Sequence, residues 1–507
     1  MVSRSDRYSL YIIPLKDDQS LIVKLSFMKY SAIGLLIGLI CSVAGRAQDY
    51  HAIEGSPYAG AIGVANNPAS ILSTPYPWDI TLFSVQEKNT TNALTFSNFS
   101  LLSRDTIHYH FTGGDFKRYA AFNFNVHLFN MRLSLGRKQA IAFGANLRGY
   151  TAARTGPVNY AQGLTNMNQF FNINENTTYN ATMVSSSWAE LFATYSRTIW
   201  DDEYGRFNAG ITLKGMRGIS GAYAQLESGS VNRTIPTGSA LTIYDLAAGS
   251  GRYGYSSNYD YWKNNKSTEQ NLADFLGHTR PGAAVDLGAE YLVKRQAVHI
   301  YGDPDNYFDY EWKIGVSLLD VGENVYKYGS QSRAVSQPSS AVTDAELNEK
   351  FDNIKTLAGF NDSLRSIVNS FSALNGFFKV WNPARLVVNI DRPLQDRFAL
   401  NADLTLNLGG SNKAQRLFTK EITLLAVTPR WETKSLGGYL PVQVTTDGKV
   451  WVGGAFKAGP LLLGVHNWSN LFTKTKMANG GLYMALVIKP GKGFSLKEDK
   501  KYTCPKY

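Results

Sequence analysis

The 507-residue chain carries 51 Lys and Arg against 40 Asp and Glu, a formal charge of +11, and aromatic residues make up 13% of it. Its mean hydropathy is −0.21, and all but one of its apolar runs are far shorter than the roughly 20 residues of a membrane helix, which excludes a polytopic helical protein. The positive charge is spread thinly, without a Lys/Arg-rich block or a zinc-ligand spacing, so we expect no nucleic-acid partner.

The exceptional apolar run, residues 28–47, predicts a secretory signal peptide. It reads MKYSAIGLLIGLICSVAGRA, with Lys29 before an apolar core and the small Ala47 at its end, which are the parts of an export signal. We expect cleavage after Ala47. Residues 1–27 look unlike the start of a signal peptide, and we interpret them as a mis-called leader, with translation beginning at Met28.

Residues 48–77, QDYHAIEGSPYAGAIGVANNPASILSTPYP, precede the first convincing strand near Trp78. Their four prolines would each interrupt a central strand, yet the segment is more apolar than a loose tail. We predict that it folds back as a small hatch into the mouth of the barrel predicted below, with Asn66, Asn67 and Pro68 forming a turn. The alternative is a loose periplasmic lead-in.

Residues 78–490 contain many segments in which apolar and polar residues alternate. In RFALNADLTLNLG, one phenylalanine and several leucines alternate with Asn401, Asp403 and other polar residues, which places the two sets on opposite faces of a strand. The segments have the length of about 9 to 11 residues that a tilted membrane-crossing strand needs, longer than the usual strands of a soluble β-sandwich or propeller. The pattern predicts an all-β fold, a transmembrane antiparallel β-barrel of about 14 strands, because even strand numbers are the rule.

The polar face of each predicted strand should line a wet lumen. A charge that faces lipid costs about 2 to 4 kcal/mol at the bilayer midplane, whereas a charge in the lumen is inexpensive. We expect the acidic residues of this set to pair with basic ones rather than to form a catalytic pair. The lumen-facing candidates are Asn208, Lys214, Asp286, Glu290, Asn401 and Asp403.

Tryptophans fall at or near the ends of predicted strands, where an aromatic girdle would meet the membrane interface. They are Trp188, Trp200, Trp312, Trp431, Trp451 and Trp468.

Loop lengths predict the orientation of the barrel. Turns such as that in TIWDDEYGRF are tight, whereas residues 151–187, 217–281 and 320–383 predict long extracellular loops, because barrels keep their short turns in the periplasm. Within the second, GSGRYG indicates a flexible loop. In the third, TDAELNEKFDNIKTLAG predicts a helix with Thr343 as its cap, and NDSLRSIVNSFSAL predicts a second. Residues 491–507 are predicted to form a periplasmic tail.

Five short sequences resemble an uncharacterised family of outer-membrane barrels from Bacteroidetes-type bacteria. They are GAIGVANNPAS (60–70), VSLLDVG (316–322), VTPRWE (427–432), GGYLPVQ (437–443) and FKAGPLLLGVHN (456–467). That family is distantly similar to FadL-type fatty-acid transport barrels and to barrel proteins of the type IX secretion machinery. The resemblance implies a location in the cell outer membrane and a lumen plugged by the N-terminal segment. It carries over no ligand residues, because only NNPAS and the barrel-end patterns match the transporters.

The sequence offers no catalytic or metal-binding arrangement. The seven histidines form no ligand group, although HYH places His108 and His110 on one strand face, where a metal would need further ligands. No nucleophile elbow, phosphate-binding loop or dinucleotide motif is present. Only Cys504 remains after signal cleavage, so no disulfide can form within the chain. We therefore predict neither an enzyme nor a cofactor or metal.

Two functions remain open for a barrel that is embedded in outer-membrane lipid. The first is passive uptake of a small amphipathic or hydrophobic molecule. The alternative is a structural or secretion-accessory barrel that binds a partner protein through its long extracellular loops. A continuous apolar pocket in the lumen would favour uptake, and a lumen filled by charged networks would favour the alternative.

Overall fold

The structure is a computed structural model that describes most of the chain between residues 52 and 490. The predicted leader, the signal peptide with its cleavage after Ala47, and the tail 491–507 lie outside the described residues. The described residues are 52–97, 108–161, 164, 167–175, 177–238, 241–294, 309–338, 342–351, 354–394, 397–413, 416–468 and 478–490.

The described residues are mainly β-strand. The first half contains β1 (Trp78–Thr91), β2 (Leu94–Ser97), β3 (His108–Phe111), β4 (Gly114–Ser134), β5 (Gln139–Tyr160), β6 (Thr178–Asp201), β7 (Gly205–Thr234), β8 (Ile243–Tyr255), β9 (Arg280–Lys294), β10 (Tyr310–Lys327), β11 (Arg333–Pro338) and β12 (Val342–Thr343). The second half contains β13 (Val368–Ala373), β14 (Phe377–Trp381), β15 (Arg385–Pro393), β16 (Phe398–Asn407), β17 (Leu417–Phe418), β18 (Leu424–Glu432), β19 (Leu436–Tyr439), β20 (Val442–Thr445), β21 (Val450–Val452), β22 (Gly454–Ala458), β23 (Leu461–Val465), β24 (Asn479–Gly480) and β25 (Leu482–Ile488).

Within the described residues, 14 antiparallel strand positions close into a barrel. The first strand closes it, because β1 pairs with β4 on one side and with β25 on the other, where Gln86 lies opposite Tyr483. The wall runs in the order β1, β4, β5, β6, β7, β9, β10, β15, β16, β18, β19 with β20, β21 with β22, β23 and β25. The predicted fold class, an all-β antiparallel barrel of about 14 strands, is confirmed, and the first strand begins at Trp78 as predicted.

The two faces of the wall differ as the alternation predicts. Large apolar side chains point outward and stay exposed at every one of the 14 positions, as in Leu82, Leu128, Leu191, Leu213, Leu400 and Leu463. Polar side chains such as Asn123, Thr212 and Asp403 are buried on the inner face. An outer surface of this kind is stable only against lipid, so the barrel is of the outer-membrane type.

The tight turns lie at the end of the barrel where its first strand begins and its last strand ends. They include residues 135–138, 202–204 and 459–460, whereas the long connections 161–177, 235–279 and 328–376 lie at the opposite end. Since short turns are periplasmic in such barrels, the long connections are extracellular.

Three strands of the wall are much longer than a membrane crossing. β5, β6 and β7 have 22, 24 and 30 residues, whereas a crossing needs about 9 to 11. They continue past the membrane as an extracellular sheet, which β8, β11 and β13 extend by pairing outward from β7. The predicted loops 151–187 and 217–281 do contain the extracellular connections 161–177 and 235–279, but much of each predicted range is strand, and GSGRYG, predicted as a flexible loop, lies in β8. Beyond the lipid no face of a strand has to be apolar, so the alternation that marks a crossing strand fades.

Four α-helices lie in the extracellular connections of the described chain. They are α1 (Met167–Ile173), α2 (Thr268–Gly277), α3 (Asp344–Phe351) and α4 (Leu357–Arg365). The predicted cap of α3 is present, because the Thr343 hydroxyl accepts a hydrogen bond from the Glu346 amide at 3.3 Å. The predicted second helix, by contrast, ends at Arg365, and Val368 already begins β13. None of the described helices is both long and apolar enough to span a bilayer.

Candidate functional site

Residues 52–77, here called the plug, lie inside the barrel. The plug contains two short 3-10 helices, Gly60–Ala65 and Pro68–Leu72, and most of its side chains are buried, with Tyr58 and Ile71 fully so. Wall residues from both halves of the barrel contact it, as the following paragraphs describe. The lumen at this level is therefore occupied by the protein's own chain.

The turn predicted at Asn66, Asn67 and Pro68 connects the two 3-10 helices and contacts the wall. The Asn66 amide donates to Asp403 Oδ2 at 3.2 Å, and the Asn67 amide donates to the carbonyl oxygen of Ala289 at 3.0 Å. Asn67 also caps the second helix by accepting from the Ala69 amide, the role for which asparagine is preferred at a helix start.

Two glycines of the wall allow this close approach. A Cβ atom at Gly288 would lie 2.2 Å from Asn67 Oδ1, and one at Gly210 would lie 2.7 Å from the carbonyl carbon of Pro68. Since any larger residue would push the turn away, the alternation of glycine with polar residues on β7 and β9 reflects packing against the plug.

Side chains of the wall also satisfy the plug's backbone carbonyls. Buried carbonyl groups outside regular structure need other donors. The donors come from three strands of the wall. Arg132 Nε of β4 donates to the Ile71 carbonyl at 2.6 Å, and Arg385 of β15 donates to the Ala65 carbonyl at 3.2 Å. From β10, Ser317 donates to the Asn66 carbonyl at 2.6 Å and Lys313 to the Gly55 carbonyl at 2.5 Å. The plug is thereby fixed at several points along its length.

A buried group of charges lies beside the plug, and we call it the Asp320 cluster. Its members are Arg148, Glu190, Lys214, Asp286, Asp320 and Arg385. Asp320 accepts from Arg148 at 2.5 and 2.8 Å, from Lys214 at 2.6 Å, and from Arg385. Lys214 also pairs with Asp286 at 2.7 Å. Three cations face three anions, so the cluster is compensated, as a buried set of charges must be.

Asp320 reaches the lumen through an irregularity in β10. The register of β10 against β9 shifts between Leu318 and Val321, and Asp320 has a φ of 58°, a left-handed conformation that aspartate tolerates better than most residues. Strict alternation would place Asp320 on the lipid face. The bulge turns it inward, because an extra residue changes which way the side chains point.

A second buried group, the Arg430 cluster, lies near the periplasmic end. Arg430 donates to Asp391 at 2.5 and 2.8 Å and to Glu432 at 2.7 Å. Tyr310 donates to Asp391 at 2.5 Å, and Ser56 of the plug donates to Glu432 at 2.7 Å. These residues alternate regularly along β15 and β18, so the sequence pattern could have identified them, whereas the bulge hid Asp320.

The structure places all six lumen-facing candidates on the inner face, each with 9% or less of its surface exposed. Lys214 and Asp286 meet in the Asp320 cluster. Asn401 and Asp403 both contact Asn389. Asn208 and Glu290 both contact Ser73 of the plug, which donates to Glu290 at 2.7 Å and accepts from Asn208 at 3.4 Å.

The girdle prediction was wrong for two tryptophans. Trp188 and Trp451 are 0% exposed and lie on the inner face, where the Trp188 ring stacks on Tyr150 with 5.5 Å between centroids. Trp200 and Trp468 are exposed near strand ends. Aromatic residues are needed both at the membrane interface and to fill a wide lumen, so position near a strand end does not separate the two uses.

Side chains that could bind a metal ion are not grouped together in the described residues. No group of three or more His, Cys, Asp or Glu there is placed to hold a metal ion, and His108 and His110 lie in a separate hairpin formed by β2 and β3. Beside the plug, a cavity of only about 20 Å³ lies next to Ala61, His127 and Lys214, room for about one water molecule. The charges compensate one another and hold the plug.

Comparison with known proteins places the chain in a family. The chain is similar to a FadL homologue from Pseudomonas aeruginosa, with 12% identity over 87% of this chain and 96% of that chain and a TM-score of 0.36. It is also similar to the siderophore receptor PirA from Pseudomonas aeruginosa, with 9% identity over 79% of this chain and 80% of that chain and a TM-score of 0.18. No curated protein matches. A family model matches residues 68–465, most of the chain, so the predicted membership of an uncharacterised family is confirmed: the chain belongs to the family of unknown function DUF5723.

Proposed function

We propose that this protein is a closed barrel of the outer membrane that binds a partner protein with its extracellular sheet and helices. It is exported by the signal peptide at residues 28–47, cleaved after Ala47, and it acts by binding, without catalysis or a cofactor. Passive uptake of an amphipathic or hydrophobic molecule is the competing function.

The observation that carries this proposal is the filled lumen. A passive channel for an apolar solute needs a continuous apolar passage, but the plug and the Asp320 cluster occupy the space between the strands. Displacing the plug would leave Arg132, Lys313 and Arg385 without the carbonyl oxygens that they contact, and unsatisfied buried donors are costly. A closed barrel leaves its outer surface to carry the function.

The extracellular part has a hydrophobic core of its own, which supports a binding role. Buried residues from the sheet and the helices pack together there: Tyr179, Val231, Tyr244, Val342, Leu347 and Ile367. Phe171 of α1 packs on Tyr244, and Phe351 of α3 packs on Phe360 of α4. Such packing keeps the surface in one shape, and a preformed surface binds a partner at a lower entropic cost.

The closed lumen predicts low conductance. In planar lipid bilayers the intact protein should conduct little, whereas deletion of residues 58–74 should open a pore that passes ions and small solutes. Deletion of residues 94–111 is the matched control, because it removes a similar length in the separate hairpin, whose ends meet where the Thr112 amide donates to the Ala93 carbonyl. High conductance of the intact barrel would contradict closure and favour the uptake channel.

A partner at the extracellular sheet predicts a position-dependent cross-link in intact cells. A photoreactive residue at Leu226, exposed on β7 in the extracellular sheet, should give one protein adduct of defined mass. The same residue at Leu213, exposed on the membrane part of β7, should give none, because it faces lipid. A barrel that assembles normally but yields no adduct at Leu226 or at the neighbouring exposed Met183 would argue against the partner.

A further inference from the structure

A second cavity, which we call the mouth cavity, lies at the extracellular end of the lumen. Its volume is about 260 Å³, and its lining includes Thr90 of β1, Asn407 of β16 and Thr445 of β20, each at or next to the outer end of its strand. Its walls thus come from different sides of the barrel. It is far larger than the water-sized cavity beside the plug.

The connection between β16 and β18 crosses the mouth and helps to enclose this cavity. Glu421 lies in this connection and accepts at 2.7 Å from Asn123 of β4, on the other side of the lumen. The Asn407 amide donates to the Glu421 carbonyl at 2.5 Å, and the Thr419 amide donates to the Trp381 carbonyl at 3.0 Å. These contacts fix the connection at both ends.

Two basic side chains of the mouth cavity have no acidic partner among the described residues. Arg154, an exposed residue, lies on the lumen side of β5, and the half-buried Lys420 lies in the crossing connection. Elsewhere on the same face of β5, Arg148 is held by Asp320 and Glu190. The pKa of Lys420 is lowered, first by burial and second by the positive charge of Arg154, as expected for two neighbouring cations without an anion between them.

The acidic residues at the cavity do not neutralise this pair. The Glu421 carboxylate accepts hydrogen bonds from Asn123 at 2.7 Å and from the Ile422 amide at 2.9 Å. Asp447, in the turn between β20 and β21, also lines the cavity and lies near Tyr119 and Lys449. Lys449 adds a third cation nearby, 5.0 Å from the ring centroid of Tyr119. With Lys449 included, three cations stand against the two carboxylates of Glu421 and Asp447, and this excess of positive charge favours an anion.

The cavity also holds two hydroxyl groups, those of Thr90 and Tyr119, that could bind a ligand. Thr90 is 6% exposed, and its hydroxyl and the buried hydroxyl of Tyr119 lie near each other without a hydrogen bond of ordinary length. The Asp447 carboxylate also lies near the Tyr119 hydroxyl. Thr90 and Tyr119 both line the cavity. Buried hydroxyls normally have a partner, and those that lack one indicate a bound water or ligand.

We propose that the mouth cavity binds a small hydroxylated organic acid, whose carboxylate lies between Arg154 and Lys420 and whose hydroxyl groups reach Thr90 and Tyr119. Charge-assisted hydrogen bonds to the carboxylate would supply most of the affinity. This site lies at the mouth of the barrel and requires no partner protein bound to the extracellular sheet.

Calorimetric titration of the full-length protein in detergent tests the site with galacturonate, galactose and inorganic phosphate. Galacturonate and galactose share a ring and hydroxyl groups and differ in the carboxylate. We expect galacturonate to bind, and galactose to bind at least about tenfold more weakly. Arg154→Gln and Lys420→Gln should each lower the affinity for galacturonate by about tenfold, which corresponds to the loss of one charge-assisted hydrogen bond. Thr90→Val should weaken it by a smaller factor.

Lys413→Gln is the matched control, because Lys413 lies in the same connection but outside the cavity lining, and it should leave galacturonate binding unchanged. Each variant must keep the signature of the folded barrel, which is faster gel migration of unheated than of boiled protein. Failure of galacturonate to bind, equal binding of galactose, or unchanged binding in Arg154→Gln and Lys420→Gln would each overturn the proposal. Phosphate binding as tightly as galacturonate would overturn the assignment to an organic acid.

Discussion

Replacing Asp320 with Asn should lower the free energy of unfolding of the barrel by about 3 to 5 kcal/mol, the usual cost of removing one partner from a buried ion pair. Arg148, Lys214 and Arg385 would keep only Glu190 and Asp286 as counter-charges. Arg385 also donates to the Ala65 carbonyl, so the plug should loosen as well. The measurement is urea unfolding in detergent micelles, followed by loss of the faster gel migration that the folded, unheated barrel shows relative to boiled protein.

The same substitution at Asp309 provides the control. Asp309 forms a partly exposed ion pair with Arg206 at 2.9 Å, and such pairs contribute about 0 to 1 kcal/mol. Asp309→Asn should therefore barely move the unfolding midpoint. If both substitutions lowered the free energy of unfolding equally, the Asp320 cluster would contribute no more to stability than a surface ion pair.

A second large effect is expected for Leu213→Arg. Leu213 lies on the membrane part of β7 with 62% of its surface exposed, and arginine on the lipid face costs about 2 to 4 kcal/mol near the midplane. Leu226→Arg is the matched change on the same strand, at a position exposed in the extracellular sheet. It should change stability by no more than about 0.5 kcal/mol, as surface substitutions usually do.

This pair of variants also measures how far β7 continues beyond the lipid. The readouts are the fraction of protein that assembles into the outer membrane and the unfolding midpoint of the assembled fraction. If Leu226→Arg impairs assembly as much as Leu213→Arg, both positions face lipid, and the extracellular sheet would have to lie much closer to the membrane.

The sequence predicts which face of a strand points outward because lipid on one side differs so strongly from the polar lumen on the other. Wherever lipid meets one side, as along β16, each second residue is apolar, and Asn401 and Asp403 are correctly placed in the lumen. The same rule could have placed Arg430 and Glu432 there. Partners across the lumen are beyond such a rule, because Arg148 and Asp320 meet through the closed fold and are far apart in the chain.

Two features of the fold cannot be recognised from the alternation of apolar and polar residues in the sequence. The bulge in β10 reverses the orientation of Asp320, and one residue with a left-handed backbone leaves no periodic trace in the sequence. The extracellular parts of β5, β6 and β7 lose their pattern because water or protein covers both faces. The sequence consequently predicts loops where the structure has strands.

The seam between β1 and β25 has a consequence for the order of folding. Its residues, such as Gln86 and Tyr483, lie almost the whole barrel sequence apart, and closing so long a loop costs about 5 kcal/mol of chain entropy by the logarithmic rule. The plug directly precedes β1 and is held by β4, β10 and β15. We expect these contacts to form before β1 and β25 meet, so that the segment that closes the lumen also serves as a template on which the barrel wall is completed.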